Sequence, residues 1–505
     1  MIRYESAAQL SLEGFAPFCD RLDANNRWVL LGKALPWDDL AAIYHRSLSQ
    51  ERGRPALDAR RVIGAMIIKH KLRLDDRGTI ESIQENPYQQ WFCGLSAFSH
   101  DPIFDPSLLV TLRKRMGADV FDGMNQAIID RVEPQRSSTT KKKDRDPPAP
   151  THKGELKIDA TVAPQKIAYP TDLGLLNTAR EGTEGLIDSL SKHLHLKIKP
   201  RTYRQSARKA YLQVIRKKKR TRNEIRKAIG KQLRYLRRNQ RNIEKLLDHC
   251  GTTWPLSFAL QRQYWVVQQV YAQQLHMYQQ RTHSVENRIV SVHQPHVRPI
   301  VRGKAAANVE FGAKLDVALC DGIAWVDHIG WEAHNESEWL IHHVERYKQR
   351  HGHYPEAVNV DGIYGTRGNR AALKDRGIRF IGKPLGRPTT ESLTAQAKRI
   401  KRKEMGQRNH IEGKFGQAKN AYGLDRIAAK LKCTSESWIA AIFLVMNLAQ
   451  LERKLLPLFQ RISSLFAAFL LPARLTNHVA VSASIPAPRY QRAVPWSYHM
   501  SLLAP

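Results

Sequence analysis

Two apolar runs joined by an Asp-Gly pair constrain this chain's architecture more than any other stretch. Val309-Glu-Phe-Gly-Ala-Lys-Leu-Asp-Val-Ala-Leu319 and the run from Gly322 to Ile329 meet at Cys320-Asp-Gly. Asp-Gly between such runs signals a hairpin, because both turn positions favour positive φ. Two antiparallel strands are therefore predicted here, and other elements can be placed around them. Leu156-Lys-Ile-Asp-Ala-Thr-Val162 reads as an earlier strand with Asp159 inside it, followed by a turn and helix over Leu173–Ser191. Arg288–Val292 and Val297–Val301 also carry strand character. After the hairpin come a helix over Glu336–His351, a strand over Ala357–Val360 ending at Asp361, a helix over Thr366–Arg376 and a strand over Gly377–Gly382. Met405–Lys432 and Glu436–Leu471 read as helical. With the residues between the first strand and the hairpin set aside, three antiparallel strands precede two α/β crossovers. That is the order of a ribonuclease-H-like α/β fold.

The intervening segment, about 185–287, is helical and basic. Arg201–Cys250 holds 18 Lys and Arg against 3 Asp and Glu. Leu212, Ile215, Ile225, Ile229, Leu233, Leu236, Ile243 and Leu246 recur at helical intervals, and a partner helix is predicted over Phe258–Arg281. Such a hairpin can simply pack with a solvated basic face, but the charge excess favours phosphate contact. Its densest run is Arg216-Lys217-Lys218-Lys219-Arg220. Trp254, Tyr264 and Trp265 either pack between the helices or stack on bases.

Residues 1–134 form a predicted all-helical domain, with helices over Ala56–Lys69, Arg77–Glu85, after Asn86-Pro87, Leu108–Met116 and Asp119–Val132. Short helices broken by Gly and Pro suit a helix-turn-helix-like DNA binder or a dimerisation bundle. The polar, Pro-rich stretch 135–154 reads as a disordered linker. The catalytic domain is then 155–470, and 471–505 a Pro-rich tail.

The formal net charge of +34 points to a polyanionic partner. Nucleic acid fits best and a membrane surface second. Cys19, Cys93, Cys250, Cys320 and Cys433 are scattered singly, which fits a reducing compartment. Met1-Ile-Arg-Tyr-Glu-Ser has no signal-peptide pattern, and the apolar run Trp438–Leu448 is too short to span a bilayer and contains Asn447. A cytoplasmic protein is expected. No Gly-x-x-x-x-Gly-Lys-Ser/Thr loop is present, which argues against a built-in ATPase.

The candidate chemistry lies in remote carboxylates. Two-metal phosphoryl transfer needs acids converging on two cations roughly 3.5–4 Å apart. Mg²⁺ takes oxygen ligands and keeps several waters, so two or three acids suffice. Asp159 lies on the first strand; Asp361 ends the fourth, which should run beside the first; Glu412 lies on a later helix able to pack across that edge. Arg408, Glu412 and Lys419 share one helical face. Alone, Arg408 and Glu412 could be an ordinary ion pair. In sequence with Asp159 and Asp361, a metal and phosphate site is the stronger reading.

These segments resemble the DDE transposases of bacterial insertion sequences, particularly the group named after insertion sequence five. The likeness is carried by the Arg408, Glu412, Lys419 spacing, by Glu412-Gly-Lys-Phe-Gly-Gln-Ala-Lys419, by Asp361-Gly-Ile-Tyr-Gly-Thr-Arg-Gly-Asn-Arg370 and by Leu156-Lys-Ile-Asp-Ala-Thr161. Gly53–Asp58 through Asn86–Gly94 is similar to that group's helical N-terminal domain. The resemblance implies Asp159, Asp361 and Glu412 as catalytic, metal-binding residues for two Mg²⁺ ions, with Mn²⁺ as a substitute. It implies Arg408 and Lys419 as DNA contacts, and action on terminal inverted repeats and target DNA by a homodimer, in association with the bacterial nucleoid. Met405 stands where some relatives carry Tyr. The rival readings are a decayed transposase acting as a DNA-binding repressor and a nuclease without joining activity.

Weaker candidates are Asp316, Asp321, Asp327 and Asp425. Asp321 reads as the hairpin turn residue, Asp327 as an alternative to Asp159, and Asp425 as a local helix or cap residue. Among the 20 histidines, the pairs His193/His195, His293/His296 and His342/His343 lack supporting cysteines and read as surface or core residues.

Overall fold

The computed structural model describes residues 18, 22–48, 56–132, 152–251, 254–301, 309–386 and 394–470. The chain divides into two compact units, Met1–Lys454 and Leu455–Pro505, and every described strand lies in the first. The predicted linker falls outside the described residues as far as 151, and the tail from 471 does so entirely. The last linker residues are already tied to the sheet, since His152 bridges to Tyr354 and the Gly154 carbonyl accepts from the Glu356 N–H.

The described N-terminal region is helical, as its patterning predicts: α1 (Arg27–Ala34), α2 (Trp37–Arg46), α3 (Ala59–Leu72), α4 (Asp76–Glu85), α5 (Pro87–Phe92), α6 (Leu108–Arg115) and α7 (Ala118–Val132). Helix α3 is buried almost all round, which explains its run of Val62, Ile63, Ala65, Met66, Ile67 and Ile68. Asp58 starts it by accepting hydrogen bonds from the Arg60 and Arg61 N–H groups.

A six-stranded mixed sheet follows, built from β1 (Glu155–Pro164), β2 (Arg298–Val301), β3 (Val309–Cys320), β4 (Ile323–Gly330), β5 (Ala357–Val360) and β6 (Arg379–Ile381). β3 pairs antiparallel with β1 on one edge and with β4 and β2 on the other, and β5 and β6 extend the sheet in parallel beyond β1. The β3–β4 turn places Asp321 and Gly322 at φ 49° and 86°, the paired positive values the Asp-Gly signal demands. Between β1 and β2 stand the helices α8 (Asp172–His193), α9 (Arg204–Ile215), α10 (Arg222–Asp248) and α11 (Phe258–Gln280). They pack around their own small cores, one holding Leu176, Leu233, Leu236 and Val267, the other Leu186, Ile187 and Ile243.

Helices α12 (Leu340–His351) and α13 (Arg367–Asp375) connect the later strands, and α14 (Ala395–Gly406), α15 (Asn409–Tyr422) and α16 (Lys432–Leu470) follow. One hydrophobic core joins Ile158, Ala318, Trp325 and Val358 of the sheet to α12 and to the N-terminal helices. A second joins Leu315, Val317 and Leu319 to Ile411 and Phe415 of α15 and Ile439 and Phe443 of α16. Alternate β3 residues thus feed opposite faces. Asn447, the polar residue in the apolar run of α16, is fully buried, accepts from the Ala324 N–H of β4 and donates to the Ala324 carbonyl. Among the described residues no helix is long and apolar enough to cross a membrane.

Three local expectations are corrected. Arg288–Val292 is not a strand. Its apolar residues are there because Ile289 and Val292 enter the insertion's core while Val290 enters the sheet's, and the Ile289 N–H is satisfied by the Gln273 side chain. Met405–Lys432 is not one helix: it breaks at Gly406 and again after Tyr422. The segment after the second break returns to β1, where the Ile427 N–H donates to the Pro164 carbonyl. The stretch from Glu336 opens as a 3₁₀ turn, Glu336–Trp339, before α12 begins.

Candidate active site

Parallel pairing of β1 with β5 sets the first half of the site. Ile158 lies opposite Val360, so Asp159 and Asp361 are the next residues of two neighbouring strands. Asp159 is mid-strand, opposite Val317, and its Oδ1 accepts from the Ala160 N–H at 2.8 Å. Asp361 lies just beyond β5, where its Oδ1 accepts from the Gly362 N–H at 2.7 Å and caps the 3₁₀ turn Gly362–Tyr364. Asp361 is exposed, whereas Asp159 keeps 16% of its side chain accessible.

Helix α15 supplies the second half. Ile411, Phe415 and Ala418 bury one stripe against the sheet. Arg408 and Glu412 flank that stripe at the end nearest Asp159. The Arg408 guanidinium donates to Asp159 Oδ2 at 3.2 Å and pairs with Glu412 Oε1 at 2.9 Å, joining a strand carboxylate to a helix carboxylate. The preceding turn is anchored too, because buried Asn359 of β5 donates to the Glu404 carbonyl at the end of α14. Lys419 lies two turns further along and pairs with Glu310 of β3 at 3.8 Å.

The charge balance is strongly acidic. Burial pushes the Asp159 carboxyl up to about 6; the Ala160 N–H and Arg408 oppose this, while Glu336 and Asp361 reinforce it. Tyr364 is fully buried beside the site with no hydrogen-bond partner for its hydroxyl, and burial with the surrounding carboxylates raises its pKa. A buried carboxylate near two others, with one arginine as counter-charge, has the donor set and the electrostatic deficit that a divalent cation would fill. Asp159 and its strand neighbour Asp361 offer oxygens there, and Glu412 offers one across Arg408.

Glu336 and Tyr364 escaped the sequence reading. Glu336 enters through the 3₁₀ turn and pairs with Lys314 at 2.9 Å, and nothing in Asn335-Glu-Ser-Glu-Trp339 marks it from sequence alone. Tyr364 lies within the Asp361-Gly-Ile-Tyr segment already singled out, so its position could have been flagged.

Other candidates lie elsewhere. Asp327 is fully buried and bound by His343 and Arg350, each at 2.5 Å, so its charge is neutralised by the fold and it does not replace Asp159. Asp321 is the hairpin turn residue, and Asp425 pairs with Arg73 at 3.9 Å. Arg216, Lys217, Lys218, Lys219 and Arg220 are all exposed in the turn between α9 and α10, with Lys217 paired to Glu224. Tyr264 is buried between helices, whereas Trp254 and Trp265 are exposed. Asp316 meets His328 and His334, a cluster the sequence reading did not foresee.

Residues 358–449 match a family described as Transposase DDE domain, and residues 17–115 one described as Transposase domain (DUF772). The first match takes in Asp361, Arg408, Glu412 and Lys419. "Uncharacterized protein ORF8 in nfe locus" from Rhizobium meliloti is 34% identical over 162 residues, 31% of this chain and 72% of that relative. No solved structure matches the chain.

Proposed function

Since this chain belongs to the transposases, we propose that it is a metal-dependent DNA transposase that binds inverted-repeat ends, hydrolyses a phosphodiester there and transfers the freed strand to target DNA. The observation that carries this reading is that Asp159 lies next to Asp361 through the Ile158–Val360 register and shares Arg408 with Glu412. The sheet order β4-β3-β1-β5-β6, in which β3 alone runs antiparallel to the other four, supports a ribonuclease-H-like core.

In this reading Asp159, Asp361 and Glu412 supply the carboxylate oxygens that hold two Mg²⁺ ions, or Mn²⁺ in their place. The bound ions would supply activation of a water or 3′-hydroxyl and stabilisation of the leaving oxygen. Arg408, freed from the carboxylates it now bridges, contacts the scissile phosphate, with Lys419 gripping DNA further along α15. The N-terminal region, 1–134, binds ends or dimerises, and 155–470 is the catalytic domain. Two ends require a homodimer at least.

The insertion, about 185–287, extends the DNA contact. Lys227, Lys231, Arg234, Arg238, Arg241 and Lys245 are exposed on α10. Their spacings of three and four residues keep them on one face, opposite Leu233, Leu236 and Ile243. A stripe of this kind, continued by Arg216–Arg220, suits a run of backbone phosphates.

The test is cleavage of DNA carrying the element's ends, with Mg²⁺ or Mn²⁺, followed by strand transfer from a precut end. Wild type should cut and join, and Glu412→Ala should bind the same DNA without cutting. Survival of cleavage in Glu412→Ala would sink the triad. End binding with no cleavage by wild type would favour the repressor reading; cutting without joining would favour a simple nuclease.

A further inference from the structure

On the opposite face of the sheet from Asp159 lies a second ligand cluster. Asp316 pairs with Ala160, one residue along β1, so alternation turns its side chain to the α12 side. Its carboxylate is fully buried, and one oxygen, Oδ2, faces His328 Nδ1 at 2.9 Å and His334 Nε2 at 2.6 Å. The other oxygen, Oδ1, has no hydrogen-bond partner. All three ligand atoms lie within 4.8 Å of one another.

Local structure builds this convergence. β4 carries an irregularity where Asp316 pairs with His328 but Val317 pairs with Val326, leaving Asp327 as the extra residue. His328 is thereby set opposite Asp316 while Asp327 reaches α12. His328 stacks on Trp339 at 3.5 Å between ring centres. A Cβ on Gly330 would come within 2.6 Å of the His334 ring and 3.1 Å of the His328 ring, so only glycine leaves room for both imidazoles. The His334 Nδ1 faces the Glu332 carbonyl at 3.3 Å, which favours a proton on Nδ1 and directs the Nε2 lone pair at Asp316. An approach of 2.6 Å holds a shared proton between Nε2 and Oδ2, which a metal would displace as the two atoms open to admit it. Lys314 is the nearby competing charge, but it is engaged by the His334 carbonyl at 2.8 Å and by Glu336 at 2.9 Å.

We propose that Asp316, His328 and His334 bind a late first-row divalent metal, best Zn²⁺, distinct from the ions of the Asp159–Asp361–Glu412 site. Two imidazoles and one carboxylate, with a position left for water, are a donor set that suits zinc and disfavours Mg²⁺. The ion clamps β3 and β4 to the segment leading to Glu336. The assignment stands apart from the transposase reading, because no residue of that site is a ligand here.

The experiment uses full-length protein purified without a polyhistidine tag. Metal is removed by chelation, then Zn²⁺ is titrated with elemental analysis, and Co²⁺ is substituted to read its visible d–d bands. Wild type and Asp361→Ala should each take up one tight equivalent of Zn²⁺. They should also show Co²⁺ bands and a thermal midpoint raised by Zn²⁺. His328→Ala and His334→Ala should lose that equivalent and the bands, whereas His293→Ala, altering an exposed histidine, should keep both. The proposal fails if natively folded wild type, judged by circular dichroism, takes up no stoichiometric Zn²⁺. It also fails if His334→Ala keeps the full equivalent, or if Asp361→Ala loses it.

Discussion

Asp327 and Asp159, on opposite faces of one sheet, are treated in opposite ways. On the α12 face, Asp327 is fully buried between His343 and Arg350; burial alone would raise its pKa, but these partners outweigh it and hold the acid below the ordinary carboxylate range. On the α15 face, Asp159 is more accessible yet its carboxyl is pushed up to about 6, chiefly by desolvation, with one arginine to oppose it and two acids to reinforce it. A side chain whose charge is fully answered by the protein is part of the scaffold. One left under-compensated is set to receive something the chain does not contain.

Activity should break this comparison most sharply. Asp361→Asn should reduce Mg²⁺-dependent cleavage by on the order of 10³-fold or more, since cation-held carboxylates supply several kcal/mol of transition-state stabilisation. Because Asp361 is exposed, its thermal midpoint should stay at the wild-type value. A large loss of stability with little loss of cleavage would reverse the assigned roles.

Next in size is Asp327→Ala. Removing it takes the carboxylate from buried His343 and leaves Arg350 with its 3.4 Å contact to Asp122, and should cost about 3 kcal/mol, read as a lowered unfolding midpoint. A midpoint unchanged by this substitution would show that the buried network is not what distinguishes the two faces.

A smaller effect of opposite sign is expected at Asp159. Its native carboxyl binds protons more tightly than an unfolded one, whose pKa is about 3.9. Stability contributed by this group is therefore present below about pH 4 and lost as pH rises through about 6, by on the order of 2–3 kcal/mol. Asp159→Asn should raise the melting midpoint at pH 7 and remove that part of the slope. Added Mg²⁺ should stabilise wild type at pH 7 but less at pH 5, where protons compete. Identical pH profiles for wild type and Asp159→Asn would refute this.

The least effect should come from α10. Changing Lys231 and Arg234 together to Gln should lower the slope of log K against log salt by about 1.8, at roughly 0.9 per phosphate contact. Cleavage of saturated DNA should be unaltered. An unchanged slope would detach the stripe from the DNA path.

The elements that sequence exposed best were those governed by local rules. The Asp321-Gly322 hairpin, β5 running to Asp361 and the long helices α10 and α11 follow from turn chemistry and apolar period. Arg288–Val292 misled because β-branched apolar residues report burial, and two separate cores can bury Ile289, Val290 and Val292 without a strand. In the site, the Arg408–Glu412 spacing was visible as a helical face, but the bond from Arg408 to Asp159 spans 249 residues and depends on how α15 lands on β1. His328 and His334 were invisible for a related reason. Their meeting depends on one extra residue in β4 and on the missing Cβ of Gly330, and neither leaves a spacing that could be read in advance.

The N-terminal helices share a core with the sheet, and the contact is specific as well as apolar. Asn125 of α7 accepts from Asn447, which also closes on the β4 backbone; Lys71 pairs with Glu452; and Arg73 donates to the Asn420 carbonyl at the far end of the helix that carries Glu412. These helices therefore cannot be exchanged as a cassette. A chimera carrying a foreign N-terminal region would leave Asn447 and Glu452 facing strangers, and retargeting by transplantation would have to carry the matching surfaces of α15 and α16 with it.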